Sequence, residues 1–167
     1  NVKIISLNEN IGFGKANNRA LEIVTGKCLF LLNSDTILIN NAVKILFEAL
    51  ISINNAMLAG GNLFSKDSRP IHSYTSLPSF KKEIIYALPL ISRVLYPISA
   101  QFNFSKSFKK VGYITGADIM IKSAFVKENG LFDPEFFMYY EETDLCNRIW
   151  LSGFEIYSIP GASIIHL

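Results

Sequence analysis

Three places in the sequence hold side chains that could do chemistry together. The first is Asn33-Ser34-Asp35, directly after the apolar run Cys28-Leu29-Phe30-Leu31-Leu32. A continuous apolar run of this length is the pattern of a strand buried on both faces of a sheet. A carboxylate at the end of such a strand sits where open α/β sheets bind ligands. Oxygen ligands there suit a hard divalent cation bridging two phosphates. The same residues could equally form a turn and cap the next helix, and their spacing leaves both readings open. The second place is Glu141-Glu142-Thr143-Asp144 with Arg148. Spacings of three and four put Glu141, Asp144 and Arg148 on one side of a helix, with Glu142 about 100° round the axis. Acids at a helix start complement its macrodipole, which alone explains the clustering. It does not explain the preceding run Phe136-Phe137-Met138-Tyr139-Tyr140. Apolar walls raise a carboxylate's pKa and tune it as a general base. The third place is His166, on an apolar segment, either a satisfied structural residue or a metal ligand. His72 has no such setting and reads as ordinary surface. The opening turn, with Asn8, Asn10, Gly12 and Gly14 before a helix, could offer backbone N–H groups to a phosphate. It lacks the spacing of a P-loop or a dinucleotide fingerprint.

These residues need a scaffold, and the pattern supplies one. Val2 to Leu7 reads as a short strand. Ala16, Ala20, Ile23 and Val24 recur at helical spacing, with Gly26 as a stop. A second helix is expected from about Asn41 to Ile53, and a strand from Met57 to Phe64. Another strand covers Tyr113 to Ile121, and Ser123 can cap a short helix that Gly130 ends. A last helix runs from about Glu141 to Ser152. A strand from Phe154 to Ile159, a Pro160-Gly161 turn and Ser163-Ile164-Ile165-His166 finish the chain. Strands alternating with helices predict an α/β fold with a mostly parallel central sheet. The stretch 65–110 loses this rhythm and reads as an irregular insertion or flap within a single domain spanning 1–167.

Half of the 167 residues are apolar and 18% are charged, which fits one folded domain and excludes a disordered segment. Charge is uneven: residues 66–110 hold eight basic and two acidic groups, and residues 111–167 hold three basic and eight acidic. A basic middle beside an acidic end suggests a surface facing anions and a site holding a cation. Lys81, Lys82, Lys106, Lys109 and Lys110 flank Ile84-Ile85-Tyr86 and Leu88. They are either solvated loop charge or a contact with an anionic membrane surface. The greasy stretch Ile84 to Phe104 is broken by Pro89, Arg93 and Pro97, against a spanning helix. Cys28 and Cys146 lie in apolar runs without metal-ligand spacing, as buried free thiols of a reducing compartment do.

Taken in order, these features resemble the large inverting family 2 of glycosyltransferases, especially its bacterial rhamnosyltransferase-like members. The resemblance is carried by several short runs. They are Asn8-Glu9-Asn10-Ile11-Gly12-Phe13-Gly14 with Asn17-Asn18, and Leu31-Leu32-Asn33-Ser34-Asp35-Thr36. They continue with Gly116-Ala117 and Gly130-Leu131-Phe132-Asp133-Pro134-Glu135-Phe136-Phe137. Tyr140-Glu141-Glu142-Thr143-Asp144-Leu145-Cys146 with Arg148, then Gly153 and His166, complete the series. The resemblance implies the GT-A fold, a Rossmann-like α/β sandwich, and a divalent metal, Mg²⁺ or Mn²⁺, at the donor's diphosphate. It puts Asp35 and His166 at that metal, with Asn33 where the family's motif has its first acid. It makes Glu142, a Glu where Asp is usual, the catalytic base. Asp144 joins it in the catalytic helix, where Asp144 and Arg148 orient the base more than they react. Asn10, Gly12, Asn17, Asn33 and Glu141 fall in the donor- and acceptor-binding set. Gly116, Ala117 and Asp118 line a pocket, and Asp133 either contacts sugar or forms a turn.

The implied activity is transfer of a sugar from a nucleoside-diphosphate sugar, of dTDP-rhamnose or UDP-sugar type. The acceptor would be a saccharide or lipid-linked saccharide, in cell-surface polysaccharide synthesis. The implied setting is cytoplasmic, at the inner face of the cell membrane, with no nucleic-acid partner. Family members begin with a further strand, turn and helix not seen here, so the text reads as a piece of a longer protein whose first strand lies upstream of Asn1. The rival readings are a sugar-1-phosphate nucleotidyltransferase and a truncated, non-catalytic binding module.

Overall fold

The structure, a computed structural model, describes residues 2–79, 88, 95, 97 and 101–167. Its centre is β3 (Ala56–Phe64), buried along nearly its whole length. On one side β3 pairs with β7 (Asp118–Lys122), and β7 with β1 (Cys28–Leu32). On the other it pairs with β8 (Glu155–His166), and β8 with β2 (Thr36–Leu38) and β5 (Lys109–Lys110). A separate two-stranded ribbon joins β4 (Tyr74–Thr75) to β6 (Tyr113–Ile114).

Helices cover both faces. On one side lies α2 (Ala42–Ser52), whose Ala42, Leu46, Ala49 and Leu50 are buried at helical spacing. Asn41 caps it by accepting a hydrogen bond from the Lys44 N–H at 3.3 Å. On the other side pack α3 (Ser123–Asn129) and α4 (Glu141–Leu151). The period-two alternation of strand side chains sorts the core. Leu58, Ile119 and Ile121 join Leu145, Ile149 and Phe125 under α3 and α4. Ala59 and Met120 join Leu46, Leu50 and Ile164 under α2.

The α/β class is as the sequence predicts, but the sheet is mixed rather than mostly parallel. Among the described residues only β3 and β8 pair in parallel; the other sheet pairings are antiparallel. The β1–α2–β3 crossover does give two strands running the same way, as such crossovers must. β7 then enters between them in the opposite direction. Alternation of elements fixes strand direction along the chain, and a later strand decides who the neighbours are.

Other boundaries differ too, and the strand expected from Tyr113 to Ile121 divides into β6 and β7, which belong to different sheets. Residues 2–7 form no strand, and Val2 and Ile4 are 92% and 87% exposed. A strand needs a neighbour for its backbone groups, and this segment has none among the described residues. The first helix, α1, is Phe13–Ala20, continued by a 3-10 turn at Leu21–Ile23. Lys122, not Ser123, stands at the start of α3, because the Ser123 hydroxyl donates to the Gly26 carbonyl at 2.6 Å. β8 runs straight through Pro160-Gly161, and the extra residues are absorbed as a register shift against Gly60 and Asn62. Much of the stretch expected as an insertion, 65–110, lies outside the described residues.

Candidate active site

The β1 strand ends at Leu32 and hands the chain to a tight turn. The Asn33 N–H donates to the Ala117 carbonyl, and the Thr36 hydroxyl closes the turn onto the Asn33 carbonyl at 2.7 Å. Asn33 and Asp35 therefore make a turn but cap no helix, since Asn41 does that for α2. The turn leads into β2, whose Thr36 stands opposite His166 in β8. The Leu167 N–H donates to the Asp35 carbonyl. This ladder carries two side chains remote in sequence to one place: His166 Nε2 lies 3.5 Å from Asp35 Oδ2.

The acids of α4 reach the same region from the other side of the sheet edge. Tyr139 and Tyr140 precede the helix with φ of 69° and 67°. That left-handed backbone is rare for aromatic residues and marks a constrained junction. The junction is braced by α1. The Phe13 N–H donates to the Phe137 carbonyl, and Gly12, with φ of 86°, passes so close that a Cβ would lie 2.4 Å from that oxygen. The result is a cavity of about 270 Å³ lined by Phe13, Asn33, Thr115, Gly116, Ala117, Met138, Tyr139, Glu141, Glu142 and His166.

Burial raises the pKa of Glu142 above the ordinary carboxylate value. A hydrogen bond from its own backbone N–H pulls it down, and neighbouring Glu141 pushes it further up. Glu141 is 5% exposed, and its Oε2 has no hydrogen-bond partner among the described residues. A second carboxylate beside it in an apolar-walled cavity makes Glu142 more reluctant to ionise, which favours proton uptake by Glu142.

Six of the residues singled out from sequence thus line one cavity: Asn33, Gly116, Ala117, Glu141, Glu142 and His166. Asp35 adjoins it through His166. The others have different work. Asn10 accepts from the Gly12 N–H at 3.0 Å and Asn17 donates to the Phe13 carbonyl at 2.9 Å, so both shape the entry to α1. The Gly12 and Phe13 N–H groups are thus already engaged within the protein. Asp133 accepts from the Glu135 N–H, the turn-forming alternative. Asp144 does not reach the Glu142 cavity; it pairs with Arg148 at 2.7 Å. Arg148 also donates to the carbonyls of Asn129, Gly130 and Leu131, clamping α4 to the end of α3. The pair thus holds the start of α4 against the turn after α3. Cys146 is a buried free thiol and Cys28 a half-buried one.

Asp118 is not among the residues lining the Glu142 cavity. It is fully buried, with Oδ2 accepting from the Gly61 N–H at 2.5 Å and Oδ1 without a partner among the described residues. Its place one residue past Ala117 made it look like a pocket residue, and strand alternation turns it inward. Burial pushes its pKa up to about 7, against the pull of the Gly61 amide. A carboxyl held above its unfolded value of 3.8 stabilises the fold fully below that pH. The contribution, on the order of 4 kcal/mol, is lost as pH rises to about 7. Asp118→Asn keeps the acceptor for Gly61 and removes the titration. Urea unfolding at pH 4, 5.5 and 7 should show the parent chain losing stability relative to the variant. Parallel losses would mean that Asp118 titrates normally.

Sequence reasoning did not single out Phe13, Thr115, Met138 and Tyr139 as lining residues. The aromatic run before α4 was the available signal for Met138 and Tyr139; their backbone conformation had none.

The description Glycosyl transferase family 2 matches residues 1–126. The chain belongs to that family. This family 2 domain is 26% identical over 170 residues to rhamnosyltransferase WbbL of Escherichia coli (strain K12), covering 93% of the chain and 60% of the relative. It is 23% identical over 180 residues to the N-acetylglucosaminyl-diphospho-decaprenol L-rhamnosyltransferase of Mycobacterium tuberculosis (strain ATCC 25618 / H37Rv), covering 99% and 59%. The chain therefore spans about three fifths of the length of these curated relatives. Its fold is GT-A-like. The crystal structure of GalNAc-T7 with UDP, GalNAc and Mn²⁺ superposes with a TM-score of 0.67 at 13% identity, over 96% of this chain and 31% of that one. A197 from STIV superposes with a TM-score of 0.56 at 12% identity, over 92% and 64%.

Proposed function

We propose that this domain is the catalytic part of an inverting glycosyltransferase. It moves a sugar from a nucleoside-diphosphate donor, of dTDP-rhamnose or UDP-sugar type, to a saccharide or lipid-linked saccharide acceptor in cell-surface polysaccharide synthesis. The observation that supports this most is the shared cavity: Glu142, with its raised proton affinity, opens onto the space that His166 and Asn33 border.

Glu142 takes the proton of the acceptor hydroxyl. The freed oxygen forms a bond to the anomeric carbon from the face opposite the diphosphate. The bond from that carbon to the diphosphate oxygen breaks, its electron pair leaves with the phosphate, and configuration inverts. Thr115, Gly116 and Ala117 form the floor, where the absence of a side chain on Gly116 leaves room beside the Glu142 carboxyl. Met138 and Tyr139 wall the site against water, which would otherwise compete for the sugar.

Asp35 and His166 are suited to hold Mg²⁺ or Mn²⁺, which supplies charge neutralisation for a departing diphosphate. A carboxylate and an imidazole at 3.5 Å fit such an ion with phosphate and water completing its shell. No group of three His, Cys, Asp or Glu side chains that could hold a metal ion occurs among the described residues, so the protein supplies a partial set.

We place the work at the cytoplasmic face of the membrane, where lipid-linked acceptors are exposed. No helix among the described residues is long and apolar enough to cross a membrane. Lys109 and Lys110 lie over the rings of Tyr74 and Trp150, and Lys110 also pairs with Glu155. Contact with an anionic surface would rest on Lys106, which is exposed, and on Lys81 and Lys82, outside the described residues.

The reading is tested by incubating the chain with dTDP-rhamnose or UDP-sugars and an N-acetylglucosaminyl-diphospho-lipid. Acceptor-dependent release of nucleoside diphosphate is the expected result. Release of pyrophosphate from a nucleoside triphosphate and a sugar phosphate would instead establish a nucleotidyltransferase. Binding of dTDP without turnover of any of these would leave a binding module.

A further inference from the structure

The first turn of α4 separates two cavities, and only one of them holds Glu142. The second, about 380 Å³, is lined by Leu77, Pro78, Phe136, Tyr140, Thr143, Asp144 and Asn147. Tyr139 faces the first cavity and Tyr140 the second, so the two left-handed tyrosines form the partition between them. We infer that this second cavity seats a neutral pyranose ring of the acceptor, one sugar removed from the hydroxyl that Glu142 deprotonates. The inference rests on the glycosyltransferase reading and names the ligand class of its neighbouring subsite.

The lining chemistry selects that occupant. Phe136 and Tyr140 offer aromatic faces suited to the C–H face of a sugar ring. Thr143, Asp144 and Asn147 lie at helical positions that bring a hydroxyl, a carboxylate and an amide to one wall. Neither the Thr143 nor the Asn147 side chain makes a hydrogen bond among the described residues, so both remain available to sugar hydroxyls. The sole ionisable acid of the wall is Asp144, and its carboxylate already holds Arg148 at 2.7 Å. Among the described residues that line it, no cation faces this cavity, so the wall favours a neutral ring over the donor's diphosphate. Apolar walls with a few convergent polar groups, at this volume, are the ordinary make-up of a small-molecule site.

The test follows backbone amide shifts of the whole chain while the methyl β-glycoside of an N-acetylglucosamine disaccharide is added, with dTDP and UDP added to separate samples. Sugar-induced shifts are expected at Thr143, Asp144 and Asn147, and dTDP-induced shifts at Asn33 and Gly116. Asn147→Ala, at an exposed helix position, and Tyr140→Gly, which retains the left-handed backbone, should each weaken the sugar about 10-fold and leave dTDP affinity within about 2-fold. Sugar shifts confined to the Glu142 cavity, or equal sugar affinity in both variants, would overturn the inference while the glycosyltransferase reading stands. If, in addition, neither dTDP nor UDP binds, both readings fail together.

Discussion

Glu142→Gln lowers kcat for sugar transfer by about 10²- to 10⁴-fold, the range a positioned general base contributes, and leaves the fold intact. The amide has the same shape and makes the same packing contacts, but it cannot accept the acceptor's proton. Nothing in the structure ties Glu142 to a cation, so the substitution orphans no partner. The loss should appear in kcat at saturating donor and acceptor, because the group acts when the proton moves. The pH profile carries a second signature. The base works only when ionised, so activity falls as pH drops through the Glu142 pKa. That limb lies above the ordinary glutamate value, because burial and Glu141 hold it up. Stability should move the other way. A carboxyl whose folded pKa is raised stabilises most below its unfolded pKa and loses that contribution as pH rises through the folded one. Glu142→Gln should therefore melt at the same temperature as the parent or higher at pH 8, an exchange of stability for function common at active sites. A kcat reduction under tenfold would place the base elsewhere.

Asp35→Ala abolishes retention of Mn²⁺ with dTDP, weakening it by about 100-fold or more, as much as loss of a supporting partner alone can cost at a metal site. The argument begins with what the Asp35–His166 contact does not do. The two side chains are 52% and 32% exposed. An ion pair that open contributes at most about 1 kcal/mol, so its place in the fold is not explained by stability. The β2–β8 ladder would hold Thr36 opposite His166 with any side chain at position 35, since it is built from backbone bonds. Asp35→Ala should consequently leave the urea midpoint nearly unchanged. Electron paramagnetic resonance of free Mn²⁺, titrated with protein and dTDP, reads the effect without reference to turnover. His166→Ala should weaken retention too, and the double variant should be little worse than Asp35→Ala, as expected of two ligands to one ion. Unchanged Mn²⁺ retention in both single variants would remove the metal assignment and leave the Glu142 assignment standing.

The sequence by itself determined the local features. Cys28 to Leu32 read as a strand, although it forms the end of the described sheet with only Leu29 buried rather than a strand covered on both faces. The spacing of Ala42, Leu46, Ala49 and Leu50 required a helix with one buried face. The order of short runs around Asn33, Gly116 and Glu142 was enough to point to family 2. These are properties of neighbouring residues, and side-chain periodicity encodes them directly. Tertiary structure decided the rest. It placed β7 between β1 and β3, so a chain written as parallel alternation folds into a mixed sheet. It turned Asp118 into the core while Gly116 and Ala117, two and one residues earlier, stayed at the cavity. It set Gly12 against Phe137, which braces the two tyrosines in backbone shapes their side chains do not favour. It joined Asp35 to His166 through a ladder between residues far apart in the chain. Each of these depends on which distant backbone fills an unpaired hydrogen-bonding edge, and periodicity along a single segment carries no record of that partner.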